Sequence, residues 1–375
     1  MSVHAEHVGS LLRPPQLLQA RVARARGELD EEGLRRLEDE AALAAIALQR
    51  EAGVGVFTDG EMRRATWMAG LLESLGGVVE LGTAARVGWH SDRGEDPPVA
   101  ETDFASVAVN DTLTQRVALT SIEAAFLAEH APGPYKITMM SSSMGGLLWR
   151  PGISETAYPT VVDMLRDLVT LQQREIEGLI DQGVRWIQLD SLGYNQVIDD
   201  NFRRQLGPRG AADPTAILDM TIRLDRELVG DARARGPEVT IGMHMCRGNN
   251  RSAWMAQGSY EAVAERLFGE VDVDRFLLEY DTERAGGFEP LRFVPPGKTV
   301  VLGLVSSKFP ELESKDDLRR RIDEAARYVP MEQLALSPQC GFASNASSTP
   351  GNVLTVDEQR RKLELVVETA RLVWG

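Results

Sequence analysis

Residues 30–61, "DEEGLRRLEDEAALAAIALQREAGVGVFTDGE", join a long amphipathic segment to a short apolar run. The apolar positions of the first part are three or four residues apart, which is the spacing of one face of a helix. These positions are Leu34, Leu37, Ala41, Ala44 and Leu48. Gly53 follows as a helix C-cap, and the apolar run after it ends in Asp59 and Glu61. The stretch therefore predicts a helix, a tight turn and a strand that finishes in carboxylates.

This order of elements recurs along the chain, and each apolar run ends in a polar or metal-capable residue. Strands separated by helices are expected to be parallel, because a parallel return needs a crossover of about a dozen residues. Eight such units suit a (β/α)8 TIM barrel, an α/β fold whose functional residues lie at the carboxyl ends of the strands. A doubly wound sheet is the alternative, but the G-x-G-x-x-G turn after its first strand is absent. The eight runs are "EHVGS" (6–10), "VGVFTDGE" (54–61), "GPYKITMMSSS" (133–143), "VRWIQLDSL" (184–192), "VTIGMHMC" (239–246), "DRFLLEYDTE" (274–283), "KTVVLGLVSSK" (298–308) and "EQLALSPQCG" (332–341).

One long segment and the last helix do not follow this repeat. Residues 76–112, which include "VGWHSDRGEDPPVAE", are predicted to be a long insertion after the second strand. Thr355 and Glu358 have the spacing of a capping box, which predicts the start of the final helix. No change of composition marks a domain boundary, so residues 1–375 are predicted to form a single domain.

The composition is that of an ordinary globular protein. The 375 residues are 43% hydrophobic and 26% charged. No apolar run reaches the length of about 18 residues that a membrane span needs, and the first residues lack the pattern of a secretion signal. We therefore expect a cytoplasmic protein without a membrane partner. A net charge of −15 also argues against nucleic acid as a partner.

His244 and Cys246 form the most informative pair in the chain. Residues two apart on a strand point to the same side, so an imidazole and a thiol face one point at the end of the fifth predicted strand. In a barrel, the ends of the neighbouring strands would bring Glu279 and Cys340 to the same mouth. One nitrogen, two thiolates and one carboxylate suit tetrahedral Zn²⁺.

Each of these residues also has a structural interpretation. The chain has only two cysteines, and unpaired cysteines are often buried packing residues. His244 has the alternative of a hydrogen-bonded core histidine, and Glu279 that of a carboxylate paired with an arginine such as Arg284. The convergence of all four on one barrel mouth favours the zinc interpretation.

Several motifs resemble the catalytic C-terminal barrel of the cobalamin-independent methionine synthases. The similarity is greatest to a short bacterial branch that lacks the N-terminal barrel of the long enzymes, and it extends over nearly the whole chain. The motifs that carry it are "HVGSLLRP", "TDGEMRR", "IQLDS", "HMCRGNNRS", "LEYDTERAGGFEPLRF", "VLGLVSSKFPELES" and "LSPQCGFAS".

The resemblance implies a zinc-dependent S-methyltransferase with homocysteine or a related thiol as its substrate. It assigns the zinc ligands as above, with Glu279 as a labile catalytic ligand, and implies that Ser10, Glu61 and Asp190 contact the amino-acid thiol, Glu61 also with a catalytic role. A thiol activated at zinc would then attack an electrophilic carbon. The structural alternatives are a turn cap for Ser10, a first-turn helix carboxylate for Glu61 and a helix N-cap for Asp190.

The methyl donor is the part of the resemblance that the sequence supports least. "DSLGYN" from Asp190 lacks a carboxylate expected near a pterin, and Met140 or a serine stands where a tryptophan is expected to stack on it. These differences, with the lack of an N-terminal barrel, reduce the expectation of 5-methyltetrahydrofolate as donor. Alkylation of another thiol, as in epoxyalkane:coenzyme M transferases, is an alternative, as is a metal-free barrel like uroporphyrinogen decarboxylase. The cations available for a coenzyme M sulfonate are Arg13, Arg63, Arg64 and Arg247.

Overall fold

The structure, a computed structural model, describes residues 3–64, 74–81, 85–92, 101–104, 107–206, 213–343 and 353–375. None of the helices in these ranges is long and apolar enough to cross a membrane. The α-helices in these ranges are Pro15–Ala25, Glu31–Ala52, Leu119–His130, Val161–Asp181, Asn195–Ile198, Asp200–Gln205, Pro214–Arg235, Glu261–Glu270, Lys315–Ala325 and Val356–Trp374. Short 3₁₀ helices cover Ser142–Leu148, Ser154–Thr156, Glu283–Ala285, Glu289–Phe293 and Met331–Gln333.

The centre of the fold is a six-stranded parallel sheet with helices between its strands. Strands that are consecutive in the chain are neighbours in this sheet. This confirms the predicted α/β class and its parallel sheet. The strands are β5 (Ile137–Met140), β6 (Trp186–Asp190), β7 (Thr240–Met245), β8 (Arg275–Glu279), β9 (Thr299–Val305) and β10 (Leu334–Pro338).

The first two predicted strands, 6–10 and 54–61, lie between β10 and β5 but form no regular ladder. Residues 4–6 bond to Leu336 of β10, and Phe57 pairs with Tyr135 just before β5. The two segments also contact each other, since the Leu11 amide donates to the Gly60 carbonyl at 3.1 Å. Regular strands at 6–10 and 54–61 were therefore a wrong prediction, although both segments occupy the expected places.

Side chains replace the missing ladder bonds in these segments. The amide of Gln49, in the preceding helix, donates to the Thr58 carbonyl and accepts from the Thr58 amide at 2.8 and 2.9 Å. The Thr58 hydroxyl donates to the Gly9 carbonyl at 2.8 Å. Gly60 and Glu61 then adopt positive φ angles of 71° and 59°, which end any extended run.

The helix predicted over 30–53 spans Glu31–Ala52, with Asp30 as N-cap and Gly53 as a left-handed C-cap. Its buried face differs from the prediction, because Ala44 is exposed while its neighbours Ala45 and Ile46 are buried. At the other end of the chain, Thr355 and Glu358 form the predicted capping box.

Alternation along the strands separates a packing face from a functional face. Phe276 and Leu278 of β8 belong to the apolar cluster packed between the sheet and the helices. Leu277 of the same strand lies in a separate small cluster with Val8, Val301 and Ala335. The alternate positions therefore lie on the opposite face of the sheet, away from the helices. This face carries polar residues toward the carboxyl ends of the strands.

The predicted insertion at 76–112 contains two antiparallel strand pairs. They are β1 (Leu75–Glu80) with β4 (Val107–Gln115), and β2 (Ala85–Gly88) with β3 (Glu101–Phe104). The parts of the predicted insertion at 82–84, 93–100 and 105–106 lie outside the described residues. The prediction of a single domain over 1–375 stays a prediction.

Candidate metal centre and active site

The two cysteines of the chain meet at the carboxyl ends of β7 and β10. The sulfur atoms of Cys246 and Cys340 are 3.4 Å apart, although 94 positions separate the residues in sequence. His244 lies beside them, and one ligand atom from each of the three residues lies within 4.8 Å of the others. All three side chains are buried. The structure thus brings together three of the four predicted ligands.

The donor atoms of this cluster have few protein partners. Neither ring nitrogen of His244 has a hydrogen-bond partner, although both are buried. A hydrogen bond from Cys340 holds the pKa of Cys246 well below its usual value, while the pKa of Cys340 is correspondingly raised. Burial lowers the pKa of His244, but Cys246, Asp190 and Glu279 together outweigh burial and raise it. Soft donors that share a proton so closely, beside an open imidazole, fit a thiophilic divalent metal.

Glu279, the fourth predicted ligand, lies at the end of β8 and is fully buried. Its Oε2 accepts from the Arg247 amide at 2.8 Å, and its Oε1 accepts from Arg284 Nε at 3.2 Å. Burial raises the pKa of this carboxyl, but Arg284, Lys308 and Arg247 outweigh burial and lower it. The arginine partner that the sequence left open for Glu279 is therefore present, and the carboxylate is not part of the three-residue cluster.

Asp190 and Glu61 approach the same centre from neighbouring elements. Asp190 is the register partner of His244 across β6 and β7, and its Oδ1 accepts from Gln188 at 2.8 Å. Burial raises the pKa of Asp190 to about 7, against the influence of His244. Asp190 is not an N-cap, because Tyr194 occupies the N-cap position of the next helix, which has no side-chain capping bond.

Glu61 lies in a turn rather than in the first turn of a helix. Its Oε1 accepts from the Thr138 hydroxyl at 2.9 Å, whereas its buried Oε2 has no hydrogen-bond partner. The guanidinium groups of Arg13 and Arg64 are 3.9 and 3.8 Å from its carboxylate oxygens. The left-handed backbone at Glu61 is unusual for a residue with a side chain, and such strain is found most often at functional sites.

Ser10 lies directly against the loop that carries Cys340. A Cβ atom on Gly341 would be 2.0 Å from the Ser10 hydroxyl, so only glycine fits beside it. The Ser10 carbonyl also accepts from the Phe342 amide at 2.9 Å. Ser10 thus lies beside the loop that carries Cys340, and its predicted contact with a substrate stays a prediction.

The four candidate sulfonate-binding arginines all have protein partners. Arg13 donates to the carbonyls of Leu11, Glu61 and Ala343, while Arg64 pairs with Glu123. The other two guanidinium groups also contact protein groups. Arg63 pairs with Asp39 and Asp59, and Arg247 donates to Asn195 and Gly258 and stacks on Tyr260.

An apolar patch, referred to below as the thiol-side cluster, covers one side of the two sulfurs. It contains Met140 and Trp89, the latter contributed by the insertion. Trp89 reaches the mouth because the backbone of His90 pairs with Trp254 at 2.8 and 3.0 Å. The full cluster is Trp89, Met140, Met144, Leu147, Leu192, Phe202, Leu206, Cys246, Ala253, Met255, Ala256 and Cys340.

Sequence reasoning missed several residues that hold the site. Gln188, Thr138 and Lys136 contact the predicted substrate residues or their partners. A signal for them exists, because each is a polar residue within an otherwise apolar strand, and Gln188 is two positions before Asp190 on the same face. Trp89 offered no comparable signal, since its position depends on how the insertion folds back.

The chain matches the family described as the catalytic domain of cobalamin-independent synthases over residues 4–371. The uncharacterized protein YxjG of Bacillus subtilis is 37% identical over 373 residues, which cover 99% of this chain and 94% of that protein. A Listeria monocytogenes protein described as a candidate vitamin-B12 independent methionine synthase is 29% identical, with a TM-score of 0.73 and coverage of 99% and 98%.

A further solved structure shares the fold. The B12-independent methionine synthase of Shewanella sp. W3-18-1, in complex with selenomethionine, superposes with a TM-score of 0.73 at 18% identity, covering 100% of this chain and 98% of that chain. These structures are of the TIM-barrel type, which confirms the predicted fold class. The comparisons show that the chain belongs to the family of cobalamin-independent methionine synthase catalytic domains and is a transferase of the methyltransferase class.

Proposed function

We propose that the protein methylates the sulfur of an amino-acid thiol, homocysteine or a close relative, at a bound zinc ion. The observation that carries this proposal is the 3.4 Å approach of Cys246 and Cys340 beside a buried histidine with two unpartnered ring nitrogens. Buried polar atoms nearly always have hydrogen-bond partners. Two buried ring nitrogens without such partners are therefore typical of a histidine that binds a metal ion. Two thiols and an imidazole favour Zn²⁺ over harder cations.

His244, Cys246 and Cys340 would hold the ion, and Glu279 is the proposed fourth ligand. Bound zinc would keep a substrate thiol ionised near pH 7, where a free alkanethiol is mostly protonated. Glu279 already has a second partner in Arg284. A carboxylate with such an alternative partner suits a ligand that gives way when the substrate sulfur arrives.

Asp190 and Glu61 are the proposed anchors for the substrate amino group. Both carboxylates are buried next to the cluster, and Oε2 of Glu61 has no hydrogen-bond partner. An ammonium group would supply the missing hydrogen-bond donor. Ser10, beside Gly341, is placed to contact the same ligand. The Shewanella protein, which has the same fold, contains selenomethionine, an amino acid of the class proposed here as product.

The thiol-side cluster is the proposed approach for the electrophile. An apolar surface beside the sulfurs excludes water, which favours transfer of a methyl group over competing reactions. The coenzyme M alternative receives less support, because the candidate arginines are already bound to protein acceptors. The family match gives no support to a decarboxylase.

The proposal is tested by methionine formation with and without metal. Purified protein is stripped with a chelator, reloaded with Zn²⁺ or Mg²⁺, and incubated with homocysteine and a panel of methyl donors. We expect methionine only in the zinc-loaded protein, measured by mass spectrometry. Equal transfer by stripped and loaded protein would contradict the role of zinc, and no transfer from any donor would contradict homocysteine as the substrate.

A further inference from the structure

Five buried polar side chains form a continuous chain through the interior of the sheet and end at Asp190. Each is less than a tenth exposed, and Gln188 is fully buried. Burying so many polar groups is costly unless each finds a partner. In order from the amino ends of the strands toward the site, they are Arg275, Glu6, Lys136, Gln188 and Asp190.

The first half of this chain leaves Lys136 fully engaged. Arg275 Nε donates to Glu6 Oε2 at 2.9 Å, and Lys136 Nζ donates to Glu6 Oε1 at 2.8 Å. Lys136 also donates to the His7 carbonyl at 2.5 Å and to Gln188 Oε1 at 2.7 Å. An ammonium group has three protons, so these three acceptors saturate it.

Lys136 also determines which way the amide of Gln188 faces. Because Oε1 accepts from the ammonium, Nε2 must point to the other side, where it donates to Val8 O and Asp190 Oδ1, both at 2.8 Å. A flipped amide would place its NH₂ against the ammonium and its oxygen against a carbonyl and a carboxylate. All the contacts would then be repulsive, so the amide has one stable orientation.

We propose that Gln188, oriented by Lys136, is a positioning residue that holds Asp190 ready for the amino group of the substrate. This inference rests on the proposed function, because it assumes that Asp190 binds that amino group. With Oδ1 fixed by Gln188, the Asp190 carboxylate cannot rotate freely, and Oδ2 is the atom we assign to the ligand. A carboxylate held in place before binding loses less entropy when the ligand arrives.

The charges in the chain support this assignment over a purely structural role. Arg275 alone is enough to neutralise Glu6, yet Lys136 adds a second positive charge in the same interior. Asp190, two contacts away, supplies the matching negative charge in its ionised form. The chain therefore links the carboxylate at the site to the cations at the base of the sheet.

The test compares two thiols on zinc-loaded protein by calorimetry. Homocysteine has the amino group that Asp190 would bind, and 4-mercaptobutanoate is the same molecule without it. We expect Gln188→Met to reduce the preference for homocysteine by about tenfold or more, the effect of about 1.4 kcal/mol. Gln188→Glu keeps the acceptor for Lys136 but cannot donate to Asp190, so it should have the same effect if Gln188→Met folds poorly.

The Asp190→Asn variant separates a failure of the proposed function from a failure of the positioning role. Asp190→Asn should remove the preference for homocysteine by itself. Adding Gln188→Met to that variant should change the preference little. An Asp190→Asn variant that keeps the preference contradicts the proposed function. If Asp190→Asn loses the preference but both Gln188 variants keep it, the positioning role is wrong. Equal weakening for both thiols also contradicts it, because that is the result of a structural defect.

Lys136→Met should reduce the preference as well, since it frees the Gln188 amide to flip. A folded Lys136→Met protein with unchanged preference would contradict that half of the inference. Gln359→Met is the matched control, because Gln359 is an equally buried glutamine whose oxygen accepts from the Leu12 amide instead of from a lysine. Its preference should equal that of the wild type, and a loss there would also count against a specific role for Gln188.

Discussion

Glu61 and Asp190 are carboxylates whose surroundings suit a ligand better than a structural role. The carboxylate of Glu61 is buried with one oxygen that accepts no hydrogen bond, on a backbone with φ of 59°. Asp190 lies next to His244 in the sheet register. Structural carboxylates at such depth normally have both oxygens satisfied.

We expect Glu61→Gln and Asp190→Asn to lower kcat/KM for homocysteine by about tenfold or more, corresponding to about 1.4 kcal/mol of lost transition-state binding. Zinc content should not change, because neither residue is a proposed ligand. Asp163→Asn, in an exposed first turn of a helix, is a control of the same chemistry. Unchanged kinetics in both site variants would return these residues to a structural role.

The ion pair of Glu279 with Arg284 gives a second prediction at this scale. Both side chains are nearly inaccessible, with 0% and 4% exposure. In metal-free protein, Glu279→Gln leaves the buried Arg284 with Asp92 and Asp281 as its remaining ionic partners, and we expect it to lower the free energy of unfolding by about 2 kcal/mol. Denaturant melts measure this.

The exposed pair of Glu261 with Arg292 is the control, with about half of each side chain accessible. Glu261→Gln should cost less than about 1 kcal/mol, because solvent screens exposed ion pairs. Equal losses in the two variants would show that the buried pair contributes nothing special to the fold.

The sequence predicted the cysteine–histidine cluster because few residues could take part. With two cysteines and one histidine at the end of a strand, barrel geometry left little choice. The arginine partner of Glu279 was an open alternative, since pairing depends on the path of the loop after β8. Lys136 and Gln188 went unnoticed, because a polar residue inside an apolar strand signals a buried contact but does not identify its partner on another strand.

At the scale of elements, the crossovers were predicted better than the first two strands. The segments 6–10 and 54–61 have the composition of strands, yet some of their hydrogen bonds go to the side chains of Gln49 and Thr58. Composition cannot distinguish a segment that is bonded by a neighbouring strand from one that is bonded by side chains, because the same backbone groups are satisfied in both. The buried face of the helix Glu31–Ala52 also differs from the prediction, because an alanine is compatible with either the buried or the exposed side of a helix.

Among the described residues, the insertion contacts the site through the ion pair of Asp92 with Arg284 and the backbone pairing of His90 with Trp254. Arg284 Nη1 donates to both oxygens of Asp92 at 2.7 and 2.6 Å, and Trp89 packs near Gly248, two residues after Cys246. Losing a partly exposed ion pair costs about 1 kcal/mol. This would raise about fivefold the fraction of molecules in which the insertion has moved away from the cysteines.

We therefore expect the two thiols of metal-free Asp92→Asn protein to react about fivefold faster with a thiol reagent than those of the wild type. Asp219→Asn, which breaks an exposed pair with Arg266 on distant helices, serves as the control and should leave the rate unchanged. Equal rates in all three proteins would mean that the insertion does not limit access to the cysteines.

At the scale of the whole molecule, the methyl donor is determined by what surrounds the thiols. Met140 is buried in the thiol-side cluster, and Ser191 follows Asp190 with its amide bonded to the His244 carbonyl. Neither supplies the stacking ring or the carboxylate expected for a pterin. Together these contacts could be worth several kcal/mol.

We predict that methyl transfer from 5-methyltetrahydrofolate triglutamate is slow compared with transfer from a smaller methyl donor. The assay is homocysteine consumption with each donor at equal concentration, and zinc-free protein is the blank. If the triglutamate alone supports turnover of about 1 s⁻¹ or faster, the protein uses folate despite these differences.

Zinc content is the measurement that tests the central claim most directly. Wild-type protein, Cys246→Ser and Cys340→Ser are purified in parallel with Met243→Leu, a conservative change on the outward face of β7. Metal is measured by atomic emission, and circular dichroism checks the fold. We predict about one zinc per chain in the wild type and Met243→Leu, and loss of zinc with an intact fold in both cysteine variants. Full zinc occupancy in both cysteine variants would contradict the account.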